Sequence, residues 1–353
     1  MSTRIVRFLF VPVSSIKGIG EYMRSLILAN EIKKTWPNAE IKFILNRHTK
    51  YASTCPFETE LLDNSPTMHT QEVNHIIEAF RPNVVVFDAS GRQAQLAKAK
   101  SVGATTVFIS QHAKKRRRGM KWKRARYTDF HFVAQPEFAI APISWIQRIK
   151  FKLMNKPKPE CVGIFFERSI TAQKEHVLAK YDVQNKKYII VSAGSGGHRK
   201  GDNVVADVFF KAAELLAKSS NIKTLIVMGP SYPNKLPKSD FVTVISKLNN
   251  AEFIALIDGA KTAVLSGGGA LLQALALKVP VITCPVSKDQ PTRIEACKSQ
   301  GLVINTSLEQ LVSEISTLTS DENLKRVSER LQSVTSQNGV DVVIEHLSKT
   351  LDD

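Results

Sequence analysis

Two glycine-rich turns and one polar loop are where residue type and spacing in this sequence could do chemistry. Gly194-Ser195-Gly196-Gly197-His198 follows an apolar run at 187–193. Gly267-Gly268-Gly269 follows a second at 263–265 and leads into the Ala- and Leu-rich segment 270–278, whose composition favours a helix. Glycine has no Cβ, so the backbone can turn and come close to a ligand. A helix that starts where the glycines end points its free N–H groups and positive dipole end at the turn, and a phosphate suits that position. The apolar segment 279–284 reads as a buried strand, and the polar loop after it holds Asp289 and Gln290. Open α/β sheets bind ligands at such carboxyl ends. The spacing is neither G-x-G-x-x-G nor a Walker loop, which argues against NAD and ATP folds. Each turn taken singly is also what any α/β protein could carry.

The first half offers a third constellation. An apolar strand at 4–13 is followed by Gly18-Ile19-Gly20-Glu21-Tyr22-Met23-Arg24, and helical apolar spacing continues to residue 36. Glu21, beside a glycine loop at the start of that helix, has the chemistry of a general base. It could equally be a first-turn glutamate that complements the dipole. A buried strand at 83–88 ends in Asp88, and one at 104–110 runs into Gln111-His112. His112 ranks after Glu21 as a base, because a lone histidine is more often structural.

These residues need a scaffold, and the pattern supplies one. Strands and helices alternate through both halves (strands at 40–45, 187–193, 223–229 and 241–245; helices at 69–80, 93–102 and 203–217), which predicts parallel sheets with helices on both faces. A chain of 353 residues suits two domains. The expected boundaries are 1–163, 164–335 and a C-terminal helix at 336–353 that crosses back to the first domain. The span 321–353 reads as helical throughout.

Charge is the unusual part of the composition. The net charge is +17, and +12 of it lies between His112 and Lys158, where fourteen Lys and Arg face only Asp129 and Glu137. Lys114, Lys115, Arg116, Arg117, Arg118, Lys121 and Lys123 surround Trp122, and Trp145, Lys150 and Phe151 follow in a basic amphipathic stretch. Such a segment suits an anionic lipid surface, and it is favoured here over nucleic acid, the other partner of basic runs. A basic RNA-binding α/β protein is the competing reading. Four scattered cysteines fit a reducing compartment and neither a disulfide framework nor a zinc site. No signal peptide and no spanning-length apolar run is seen. The expected location is cytoplasmic, peripheral to the inner face of the cell membrane.

The stretch 264–305 resembles the C-terminal domain of the inverting GT-B glycosyltransferases related to the N-acetylglucosaminyltransferase that makes lipid II. G-I-G-E-Y-M-R resembles their G-x-G-H-x-x-R loop, and more closely that of the UDP-sugar hydrolase of pseudaminic acid synthesis. Glu21 stands where that family has histidine, and Gln273 where it has an acidic ribose ligand. V-F-I-S-Q-H resembles a strand ending in E-Q-N, with Gln111 kept and His112 at the Asn position. The resemblance implies two Rossmann-like α/β domains facing across a cleft. It implies inverting transfer of a sugar from a nucleotide donor, UDP-linked, to an acceptor hydroxyl in envelope or surface glycan synthesis. Gly194, Ser195, Gly196, Gly197, Gly267, Gly268 and Gly269 would hold the diphosphate, Gln273 the ribose, and Asp289 and Gln290 the sugar, with His198 a further donor-binding residue. Gly18, Gly20, Arg24, Asp88 and Gln111 would line the acceptor side. No D-x-D loop is present, so neither a metal nor a cofactor is expected. A nucleotide-sugar hydrolase or epimerase on the same fold is the alternative.

Overall fold

A computed structural model describes residues 5–15, 19–167, 171–334 and 338–352. Gly18 lies outside the described residues. The chain divides into two units, Met1–Phe166 with Gln337–Asp353, and Glu167–Ser336.

The first unit is built on β1 (Arg7–Pro12), β2 (Glu40–Asn46), β3 (Glu58–Leu62), β4 (Val84–Asp88), β5 (Thr105–Ser110), β6 (Phe130–Val133) and β7 (Glu160–Cys161). Their order is β3-β2-β1-β4-β5-β6-β7, and every pairing is parallel. Between strands run α1 (Gly20–Thr35), α2 (Thr70–Phe80), α3 (Gln93–Ser101), α4 (Ala113–Gly119), α5 (Trp122–Ala125) and α6 (Trp145–Leu153). Side chains alternate across a strand, and here both faces are apolar. Phe8, Phe10, Val84, Val86, Val107 and Ile109 enter one core with Leu28 and Ile32 of α1. Leu9, Val11, Val85, Phe87 and Phe108 enter the other with α2 and α3. That two-sided burial is why β4 reads as an unbroken apolar run. α1 stops at Thr35, before Trp36-Pro37: the residue preceding a proline is disfavoured in the helical region.

The second unit runs α7 (Thr171–Lys180), β8 (Tyr188–Ser192), β9 (Arg199–Lys200), β10 (Asn203–Val204), α8 (Val205–Ser220), β11 (Lys223–Val227), β12 (Val242–Ile245), α9 (Asn250–Gly259), β13 (Thr262–Ser266), α10 (Gly269–Ala276), β14 (Val281–Cys284), α11 (Gln290–Ser299), β15 (Ile304–Asn305), α12 (Leu311–Leu318) and α13 (Asp321–Ser333). Its sheet order is β12-β11-β8-β13-β14-β15, again all parallel. β9 and β10 form a separate antiparallel hairpin. This corrects the helix expected at 203–217: Asn203 and Val204 belong to the hairpin, and α8 begins at Val205.

The helical span expected at 321–353 is two elements in different units. α13 ends at Ser333, and α14 (Gly339–Asp352) belongs to the first unit, where Val340, Val343 and Leu347 join the core under α1. Asn338 fixes the junction: its Nδ2 donates to Phe166 O at 2.7 Å, and Gly339 N donates to Ile164 O at 2.8 Å. A Cβ on Gly339 would meet the Phe165 ring at 2.6 Å, so only glycine lets the strap lie this close.

In each unit the chain builds outward in one direction and then in the other. The reversal falls between β1 and β4, and between β8 and β13. At such a switch point the loops at the carboxyl ends diverge and leave a crevice for ligands.

Candidate active site

At the first switch point, α1 begins directly after the loop that leaves β1. Glu21 is its second residue and Arg24 lies one turn later. Arg24 donates from Nε to Asp88 Oδ2 at 2.8 Å and from Nη2 to Oδ1 at 2.5 Å, a two-pronged pair, and its Nη1 donates to Gln111 Oε1 at 3.2 Å. Asp88 is wholly buried. Burial pushes its carboxyl up to about 6, against the opposing pull of Arg24. Burial alone would loosen the Arg24 proton, and the Asp88 carboxylate beside it overrides that. The structure thus brings Glu21, Arg24, Asp88 and Gln111 onto one edge. Lys115 of α4 reaches to 3.8 Å from Glu21. Gly20 opens α1 with empty space where a Cβ would stand. His112 is the exposed residue that precedes α4.

The titration of Asp88 checks this arrangement. Its carboxyl carbon, followed by NMR, is expected to titrate near 6. Because Arg24 stabilises the charged form, Arg24→Met should move that midpoint upward. A midpoint that stays put or falls would mean that the two side chains are not paired in solution.

A tyrosine pair that the sequence reading does not single out begins at the residue after Glu21. Tyr22 stacks on Tyr51 with ring centroids 4.3 Å apart. The Tyr51 hydroxyl accepts from Ser15 N at 3.2 Å and bonds Ser14 Oγ at 2.9 Å, while Ser14 Oγ accepts from Asn46 N at 3.0 Å. Glu21 is thus the chain neighbour of a stacked tyrosine and lies three residues before the arginine of the ion pair. The signal in the sequence is faint, since Tyr22 and Tyr51 are 29 residues apart.

At the second switch point the glycine turns lie side by side. A Cβ on Gly194 would stand 3.3 Å from Ser266 Oγ. Gly194 has φ 90° and Gly196 φ 83°, left-handed values that favour glycine. The reason for glycine at 196 and 197 is the neighbouring loop, however, and not room for a ligand. A Cβ at Gly196 would strike Met228 O at 2.1 Å and one at Gly197 would meet Ser231 at 3.1 Å, and Ser231 N donates to Ser195 O at 2.8 Å. Gly267 is likewise enclosed, by Ile294 at 2.6 Å.

Gly268 and Gly269 are different. A Cβ on Gly268 would meet only Ser266 Oγ at 3.8 Å and Gln290 Nε2 at 3.9 Å, and one on Gly269 nothing within 4 Å. They are the N-cap and first residue of α10, so the unpaired N–H groups of that helix begin at an open surface. Gln273 lies one turn in and is half-buried.

The polar loop after β14 is built differently from expectation. Gln290 is buried, and its Oε1 accepts from Gly267 N at 3.1 Å and Val286 N at 2.8 Å. It clamps the loop after β14 to the glycine turn, so its carbonyl oxygen is not available to a sugar. Arg293, absent from the sequence reading, donates to Gly267 O at 2.5 Å. Asp289 remains exposed. The Ser287 hydroxyl chiefly holds its carboxyl below the usual value, with smaller contributions from Arg293 and His198. Among the described residues no group of three or more His, Cys, Asp or Glu is placed to hold a metal.

The basic segment also needs correction. Phe151 is buried with Met120 and Ala125. Lys150 turns inward to donate to Met120 O, and Arg116 is buried and donates to Ala141 O at 2.5 Å. These three are inward-facing and not part of a lipid-facing surface. Lys114, Arg117, Lys121, Trp122, Lys123 and Trp145 are exposed, and Arg118 is half-buried. No helix among the described residues is long and apolar enough to cross a membrane.

Solved structures share this architecture over nearly the whole chain. A calicheamicin glycosyltransferase matches with a TM-score of 0.63 at 15% identity, covering 99% of each chain. The chain has the GT-B fold. Phytolacca americana UGT2, complexed with UDP-2-fluoro-glucose and pterostilbene, matches at 0.62 and 12% identity over 99% of this chain and 100% of that one. A putative UDP-N-acetylglucosamine 2-epimerase from Listeria monocytogenes matches at 0.61 and 12% identity, over 99% and 97%. No protein-family model matches the sequence, and no curated protein does.

Proposed function

We propose that this GT-B protein is an inverting, metal-independent glycosyltransferase that uses a UDP-sugar. The observation that carries the reading is the open turn at Gly268–Gly269, at the head of α10 and at the switch point of the second sheet. The N–H groups and dipole of α10 would take up charge as the diphosphate leaves. Gln273 would bond the ribose, and Asp289 and the Gln290 amide nitrogen the sugar. In the first unit, Glu21 would accept the acceptor's proton. The acceptor oxygen forms a bond to the anomeric carbon, the bond from that carbon to the phosphate oxygen breaks, and UDP departs. One displacement inverts the anomeric centre. The acceptor is proposed to be lipid-linked, serving envelope or surface glycan synthesis at the inner face of the cell membrane. The support is that α4, which carries part of the basic segment, also brings Lys115 to Glu21.

The epimerase neighbour favours a second reading, turnover of the nucleotide sugar with no acceptor. A panel of nucleotide sugars, assayed by thermal shift and then for UDP release with and without membrane extract, separates the two. Transfer predicts a UDP-sugar shift and release that depends on extract. Release at the same rate without extract would establish the second reading, and no shift with any nucleotide sugar would end both.

A further inference from the structure

α6 is a helix with two apolar faces, of which the protein uses one. Ser144 and Gln147 fix its start with reciprocal bonds, Gln147 N to Ser144 Oγ at 3.4 Å and Ser144 N to Gln147 Oε1 at 3.2 Å. Phe151 points inward onto Met120 and Ala125 and anchors the helix to the unit. On another side Trp145, Ile146, Ile149 and Leu153 stand 70%, 62%, 48% and 78% exposed. At about 100° per residue these four fall on one stripe roughly 100° wide. Arg148 and Lys152 run along its edge, both exposed. No Asp or Glu occurs between Glu137 and Glu160. Large apolar side chains are seldom displayed together on a free surface without a partner.

The surrounding charge selects that partner. A second copy of the chain would bring two strongly basic segments together. Single-stranded nucleic acid is held by aromatic platforms on which bases stack, whereas three of these four side chains are aliphatic. An anionic bilayer satisfies both halves of the pattern: headgroups meet the basic residues, and the stripe enters the acyl boundary.

We propose that α6 is a membrane-docking wedge, with Trp145, Ile146, Ile149 and Leu153 inserted in an anionic lipid surface and Lys114, Arg117, Arg148 and Lys152 on its headgroups. This rests on the first unit alone and stands whether or not the chain transfers sugar.

The test is co-sedimentation of the full chain with phosphatidylglycerol-containing and pure phosphatidylcholine vesicles. Wild type should sediment strongly with the anionic vesicles and only weakly with the neutral ones. Lys114→Ser with Arg117→Ser should weaken binding about thirtyfold. At 1 M salt, where screening reaches about 3 Å, wild type should keep a measurable residual that Trp145→Ser, Ile149→Ser and Leu153→Ser together abolish. These positions are exposed, so the thermal midpoint should be unchanged. Equal sedimentation with both vesicle types, a triple variant that binds as wild type, or no sedimentation alongside tight binding of single-stranded RNA or a dimer that the triple variant dissolves would each overturn the proposal.

Discussion

Gly268→Val is expected to abolish stabilisation by UDP while leaving the protein folded. The position separates two effects that are confounded at the neighbouring glycines. Valine at Gly196 would collide with Met228 O, and at Gly267 with Ile294, so loss of binding there would report a damaged fold. At Gly268 the backbone is extended, with φ −79° and so outside the left-handed region, and a Cβ makes only ordinary contacts at 3.8 and 3.9 Å. The added methyls would instead occupy the open space at the head of α10. A ligand present at a hundred times its Kd stabilises by about 2.7 kcal/mol, and the variant should lose all of that at an unchanged ligand-free midpoint. A variant that keeps the full shift with UDP would show that the nucleotide binds elsewhere.

Glu21→Gln should keep UDP binding and lower turnover by about 10²-fold or more, the scale of a general base. The amide preserves the shape of the side chain, and neither the Arg24–Asp88 hydrogen bonds nor the Tyr22–Tyr51 stack is made by its carboxylate. A loss of turnover would therefore report chemistry and not disorder. His112→Ala should be milder. Normal turnover in the Gln variant with a dead His112 variant would exchange their roles.

The sheets were legible because their strands are covered on both faces. Val84–Asp88 is apolar at four successive positions, and a run of that kind bounded by turn residues has few other uses. The glycine turns were legible for a similar reason, since clustered glycine after a strand marks close approach. What is approached was not legible. Gly196 makes room for the Met228 carbonyl, 32 residues on, and nothing local in the sequence tells this from room for a phosphate. Gln290 was placed in the right loop, but its clamp on Gly267 depends on a register between two loops. The Arg199–Val204 hairpin is short and polar, with no alternating pattern to announce it. In the basic segment the composition was plain, but which lysines face inward is set by Met120 and Asp129, partners far from α6 in sequence.

The return of α14 makes the first unit a split domain, and this bears on how the protein is made. Val340, Val343 and Leu347 complete the core beneath α1, yet the ribosome reaches them only after it has produced all of Glu167–Ser336. The second unit is continuous in sequence and can fold as soon as it emerges. In the first, the part of the α1 core that α14 covers stays open until a contact spanning more than 300 residues is closed. Domains completed by such distant pieces are exposed to aggregation and to chaperone capture during synthesis. A ribosome that stalls or terminates within α14 would therefore release a finished second unit attached to an unfinished first one.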